Sequence, residues 1–168
     1  MQLQRTIHLA WITNTMINPP KRCNNGGYAS GLERENGIRL EKSGVEFWYE
    51  SGPCIINYTM KVRKSECFDC GSTEVVSKHK YSCDFAFRSK SGKLIHVECK
   101  GHPLAWNGKA RSKHQEIKKQ YPEMDLRFVF NNKHAKIGGK SKTTNDQWCQ
   151  RQGFQCSSSL IPLAWIEE

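Results

Sequence analysis

Long apolar runs are missing from this chain. The longest near the start, Ile7 to Ile12, is far shorter than a membrane span or the apolar stretch of a secretory leader. No basic amphipathic helix of the membrane-surface type is present either, so no membrane partner is expected, and the protein is expected to be soluble and intracellular. Internal repeats and long low-complexity tracts are absent, which excludes solenoid and fibrous architectures. Acidic residues are scarce: 16 Asp and Glu stand against 26 Lys and Arg, a formal charge of +10. That imbalance favours a polyanionic partner, nucleic acid before anionic membrane. Familiar catalytic signatures are lacking too. No Ser/His/Asp or Cys/His nucleophile arrangement stands out, and the Gly-rich Lys136–Lys140 has neither the strand nor the helix of a P-loop around it.

What is present suits one domain of 168 residues with a single core. Residues 1–29 are turn-rich and read as an N-terminal arm around one short apolar strand, His8 to Ile12. From Ser30 the sequence predicts a helix: Ser30 as N-cap, Glu33 at the capping-box position and Gly44 as its close. Strands are predicted over 45–50 and 54–62, then an inserted segment over about 64–79 that carries Cys67 and Cys70. Two further strands, 81–88 and 93–100, are joined by the short Ser89–Gly92 turn. A basic helix over about 111–120, a buried strand at 126–132, a basic Gly-rich loop and a helix closed by Gly153 complete the pattern.

In the strand that ends before Gly101, side chains alternate faces, so His96, Glu98 and Lys100 project from one side and Ile95, Val97 and Cys99 from the other. Pairing it with the preceding strand, Arg88 near Lys93 and Ala86 near Ile95, brings Asp84 beside Val97 or Glu98. Two carboxylates this close repel and raise each other's pKa unless a cation lies between them. A hard divalent ion such as Mg²⁺ takes one or two carboxylates and completes its shell with water and phosphate oxygens. An adjacent ammonium can orient the attacking water and stabilise charge on phosphorus. Asp84, Glu98 and Lys100 thus suit phosphodiester hydrolysis. The plainer alternative is a hairpin with a surface Glu–Lys pair, and for Glu33 it is a helix cap alone.

The phrases Ser30–Glu33, Tyr81–Phe85, Val97–Gly101, Tyr121–Phe130 and Leu160–Glu168 resemble, in order, the phage endonuclease I family of Holliday-junction resolvases. The resemblance runs from about residue 30 to the end. It implies an α/β fold of the PD-(D/E)xK restriction-endonuclease-like kind, a mixed sheet flanked by helices, in an intertwined, strand-swapped homodimer. It further implies a catalytic set of Glu33, Asp84, Glu98 and Lys100. Glu33, Asp84 and Glu98 would bind two Mg²⁺ or Mn²⁺ ions, with Glu33 serving the second. Where the family has Pro before the catalytic Asp, this chain has Cys83, and the segment before Asp84 is longer here.

The eight cysteines, with no secretory leader, are expected as thiols or metal ligands rather than disulfides. Cys67 and Cys70, followed by Gly71, have the spacing of half a zinc knuckle. A structural Zn²⁺ would then need further ligands, from His79 or from the same residues of a second subunit. Cys99 and Cys149 read as core. Phosphate contacts are expected from Arg111, Lys113, His114 and Lys118 on the basic helix and from Lys136 and Lys140 in the Gly-rich loop. No recognition-helix motif is visible, which fits recognition of DNA shape and backbone. Composition and the Asp84, Glu98 and Lys100 pattern favour a metal-dependent nuclease, and the resemblance implies that it is an endonuclease acting on branched DNA. The alternatives are a site-preferring homing or nicking endonuclease and a non-catalytic zinc-containing DNA-binding module.

Overall fold

The computed structural model describes residues 27–62, 71 and 75–168. The predicted strand at His8–Ile12, Cys23 and the Cys67/Cys70 pair lie outside the described residues. Helix α1 (Gly31–Ser43) begins where its N-cap dictates: Ser30 is extended and its hydroxyl accepts the Glu33 N–H at 3.2 Å. Gly44, at φ 67, closes it in the left-handed region. The mid-helix Gly37 has a steric reason, since a Cβ there would lie 2.2 Å from the Tyr28 hydroxyl. The chain gives up helix propensity to seat that buried ring.

Five strands form a mixed sheet: β1 (Phe47–Tyr49), β4 (Phe85–Arg88), β5 (Leu94–Lys100), β6 (Leu126–Phe130) and β7 (Gln155–Ser158), in the order β1-β4-β5-β6-β7. The β1–β4 and β4–β5 pairs are antiparallel, and β5–β6 and β6–β7 are parallel. Strand β6 is buried at every position, as a parallel strand covered on both faces must be. Its even residues Leu126, Phe128 and Phe130 meet Ile117 of α2 (Gly108–Gln120) and Trp148 of α3 (Asn145–Gln152). Its odd residue Val129 joins Leu40 of α1 and Trp165 and Ile166 of α4 (Leu163–Glu167) on the opposite face. The result is an α/β domain whose sheet has helices on both faces.

Apart from this sheet stands a two-stranded antiparallel ribbon, β2 (Ile55–Val62) with β3 (Val75–Ser82). The sequence predicts an insertion over 64–79 and one continuous strand over 81–88. Instead β3 takes residues 75–82, and the chain breaks at Cys83–Asp84 before β4. The hairpin register also lies one residue from the predicted one, with Arg88 opposite Leu94 and Ala86 opposite His96. The turn is the cause: Ser89 N–H bonds the Lys93 carbonyl at 2.9 Å, and Gly92, at φ 87, closes a three-residue loop. Helix α2 begins three residues earlier than predicted because the Asn107 side chain caps it, accepting the Ala110 N–H at 3.0 Å. Strand β7 and helix α4 are additional to the predicted elements.

Candidate active site

Asp84 occupies the break between β3 and β4, one step beyond the Phe85–Val97 pair, and therefore stands opposite Glu98 near the end of β5. Its backbone is fixed, since its carbonyl accepts the Glu50 N–H at 3.0 Å. Glu50 itself sits at φ 45, a left-handed conformation uncommon for a residue with a side chain. The Asp84 carboxylate reaches across to β5 and accepts the Cys99 N–H at 2.6 Å. Burial and then the neighbouring Glu98 charge push the Asp84 pKa well above the usual carboxylate value. Some of its surface stays accessible, whereas Glu98 is buried.

Glu98 is held from three sides. The Lys100 ammonium is hydrogen-bonded to Oε1, and the buried Tyr81 hydroxyl donates to Oε2 at 2.5 Å. His114 lies with Nε2 3.6 Å from Oε1. Burial opposes the charge on Glu98, but Lys100, His114 and Lys113 outweigh it and hold its pKa below the usual range. Burial would likewise discharge Lys100, yet Glu98 and Asp84 keep its pKa raised. Glu98 and Lys100 are therefore an ion pair at neutral pH, and Asp84 is the carboxylate that carries the unrelieved repulsion.

Glu33 completes the approach from α1. Its Oε1 accepts the Ser30 hydroxyl at 2.7 Å, and its Oε2 accepts the Tyr49 hydroxyl at 2.6 Å and the Ala29 N–H at 3.2 Å. The capping role is thus real, with the carboxylate bonding the Ser30 hydroxyl and the preceding N–H. Glu33 is also near enough to add to the rise in the Asp84 pKa. Among the described residues, no three or more His, Cys, Asp or Glu side chains are grouped closely enough to hold one metal ion. Asp84 and Glu98 nevertheless fit a hard divalent cation by chemistry. They are two facing oxygen donors, one of which carries a repulsion that such an ion would relieve.

The predicted phosphate contacts divide. Lys136 and Lys140 are exposed. Lys113 is half-buried with Nζ 4.7 Å from the centre of the Tyr81 ring, and Lys118 lies over Phe154 at 5.7 Å. Arg111 donates to the Trp106 and Ile137 carbonyls at 2.5 and 3.1 Å, tying the turn before α2 to the Gly-rich loop. His114 is not a surface residue at all. It is fully buried, its Nδ1 2.7 Å from the Ala110 carbonyl, and it backs Glu98 instead of facing solvent. The sequence offered no sign of Tyr81 as a site residue, since a lone Tyr in a strand reads as core. Among the described residues the cysteines 54, 83, 99, 149 and 156 are free thiols, with Cys99 and Cys149 buried as predicted.

The sequence profile of the phage endonuclease I family matches residues 16–168. The chain is 32% identical over 143 residues to Endonuclease I of Escherichia phage T7, spanning 85% of this chain and 80% of that protein. It is 32% identical over 148 residues to Endodeoxyribonuclease 1 of Enterobacteria phage T3, spanning 88% and 82%.

Proposed function

The chain belongs to the phage endonuclease I family, and from that premise we propose that it is a divalent-metal-dependent DNA endonuclease that cuts branched DNA such as Holliday junctions. One observation carries the reading: Asp84, one step before β4, stands opposite Glu98 of β5, with Lys100 bonded to Glu98. The mixed sheet with helices on both faces supports a PD-(D/E)xK nuclease architecture. In this reading Asp84 and Glu98 hold Mg²⁺ or Mn²⁺, and Glu33, with acceptor capacity left on its oxygens, serves a second ion. A divalent ion supplies Lewis acidity toward the phosphate oxygens and neutralises the carboxylate pair.

The chain's own groups do the positioning. Tyr81 and Lys100 each fix one oxygen of Glu98, so the carboxylate needs little reorganisation when substrate enters. Lys100 is charged, and its ammonium orients the attacking water and stabilises negative charge gathering on the phosphate oxygens. Asp84, the more accessible carboxylate, faces the incoming backbone. A four-way junction presents strands in symmetric pairs, and cutting two of them alike requires two copies of the site. A homodimer supplies both.

The test is cleavage of an end-labelled four-way junction beside its matched linear duplex, in Mg²⁺, Mn²⁺ and chelator, with Glu98→Gln as control. Metal-dependent, symmetric cuts near the branch point that vanish in the variant are the expected outcome. Equal cutting of the linear duplex would replace the junction reading with a site-preferring nuclease. Binding without cutting in any metal would make this a DNA-binding module.

A further inference from the structure

The β2–β3 ribbon has two unlike faces. The register alternates Ile56, Tyr58 and Met60 with Tyr81, His79 and Ser77 on the inner side, where Tyr58 and Tyr81 are buried in the core. The outer side carries Asn57, Thr59 and Lys61 from β2, opposite Lys80, Lys78 and Val76 of β3. Lys78 and Lys80 are exposed. Sheets are stabilised by opposite charges across strands, yet here the cross-strand neighbours of these lysines are Thr59 and Asn57. The two ammonium stems leave the same face of one strand about 6.6 Å apart and repel each other. None of the sixteen residues of β2 and β3 is acidic. A ribbon built only for stability would mix its charges.

The ribbon is also braced. Gln120, at the end of α2, occupies the free edge of β2 as a strand would: its Oε1 accepts the Thr59 N–H at 2.9 Å, and its Nε2 donates to the Thr59 carbonyl at 2.8 Å. The Tyr121 hydroxyl donates to the Asn57 carbonyl at 2.5 Å. Between ribbon and helix end runs an open groove lined by Asn57, Thr59, Lys78, Lys80, Gln120 and Tyr121 among others, with no carboxylate among the described residues of its lining. Cationic and hydrogen-bonding groups on a fixed strand are suited to a sugar-phosphate backbone and carry no base-reading element.

We propose that the outer face of the β2–β3 ribbon is a second DNA-backbone contact outside the catalytic carboxylates, in which Lys78 and Lys80 each neutralise a phosphate. The proposal rests on the endonuclease reading, and it places the contact close to the chemistry. Lys80 immediately precedes Tyr81, whose hydroxyl holds Glu98.

The experiment compares full-length wild type with Lys78→Gln/Lys80→Gln and with the charge-matched control Lys42→Gln/Lys90→Gln. It measures junction affinity between 50 and 200 mM salt, single-turnover cleavage at saturating protein, and mass in solution. For the ribbon variant the slope of log affinity against log salt should fall by about 1.8, with affinity lower by about tenfold at the higher salt. Saturated cleavage and mass should stay as in wild type, and the control should keep the wild-type slope. An unchanged slope while wild type still cuts overturns the ribbon contact alone. A change of mass with an unchanged slope also overturns it, making the face a contact between copies of the chain. A reduced slope in a protein that never cuts would keep the contact and overturn the endonuclease reading instead.

Discussion

Strands β5 and β6 lie side by side, and a charged cluster stands at each end of the pair, each built on one buried charged side chain, Arg127 or Glu98. At the start of β6, Arg127 is fully buried, its guanidinium spread between Asp125 (2.9 and 2.6 Å) and Glu168 (3.1 and 2.6 Å) and its plane over the Trp165 ring. Lys93 joins the same two carboxylates at 2.7 and 3.2 Å. Two cations thus meet two anions, and every guanidinium nitrogen has a partner. At the end of β5, Glu98 and Asp84 share the ammonium of Lys100, Lys113 adds to the stabilisation of Glu98, and His114 is kept toward its neutral form by burial. The first cluster is closed and needs nothing further. The second leaves Asp84 with a repulsion its neighbours do not relieve, its pKa raised by burial and then by the Glu98 charge, and a carboxylate perturbed in this way marks a functional-site candidate.

Breaking each cluster should therefore cost different things. Asp84→Asn, Glu98→Gln and Lys100→Ala should each lower cleavage by about 10²–10³-fold or more while DNA binding survives. Asp84→Asn should leave the unfolding midpoint equal or higher, because it removes a repulsion. Full cleavage by any of the three would remove that residue from the mechanism. Arg127→Ala should do the reverse. It should lose about 3–5 kcal/mol of stability, measured by denaturant unfolding, while the protein that remains folded cuts normally.

The closed cluster also sets a pH window. Burial works against the charge on Asp125, but Arg127 and Lys93 outweigh it and bring its pKa from 3.8 to about 2. A depressed carboxylate pKa contributes stability above its unfolded value and loses it as pH falls through the folded one. The wild-type unfolding midpoint should accordingly drop between about pH 4 and pH 2, and Arg127→Ala should flatten that drop.

Smaller in effect is Tyr81→Phe, which removes the hydroxyl bonded to Glu98 without emptying the core. Partners one step behind a metal ligand are typically worth 10–100-fold in metal affinity or activity. The expected signature is a shift of the Mg²⁺ dependence to higher concentration with the fold intact. An unchanged Mg²⁺ titration would make Tyr81 a core residue that happens to touch Glu98.

Much of this contrast was legible in the sequence, for physical reasons. Strand alternation and a short Gly-containing turn were enough to set Asp84 against Glu98 and Lys100, even though the turn's left-handed Gly92 moved the register by one residue. The Ser30 and Gly44 signals located α1 because capping is local chemistry. Arg127 gave no hint of its burial, since Asp125 is a near neighbour but its second partner Glu168 and the Trp165 ring are distant in sequence and meet it only in the folded domain. His114 reads, with its basic neighbours, as a surface residue, but its helical phase sets it with Ile117 on the buried face. Strand β7, polar and four residues long, falls below what periodicity can detect.

Ser30 offers the finest discrimination, because Glu33 belongs to both kinds of structure at once. Its carboxylate accepts from Ser30, Ala29 and Tyr49 as a capping group, while its charge reaches Asp84 across the site. Ser30→Ala removes the N-cap acceptor for the Glu33 N–H and one donor to its carboxylate, and should cost about 1 kcal/mol in thermal or denaturant unfolding. If Glu33 only caps the helix, the Mg²⁺ dependence of cleavage stays that of wild type. If it also serves a second ion, the loosened carboxylate shifts that dependence by a few-fold beyond the loss of stability, and Ser30→Thr, which restores the hydroxyl, brings it back. The second outcome is the expected one, a few-fold shift and not a loss, since Oε1 is freed while the Tyr49 hydroxyl and the Ala29 N–H still hold Oε2 of Glu33.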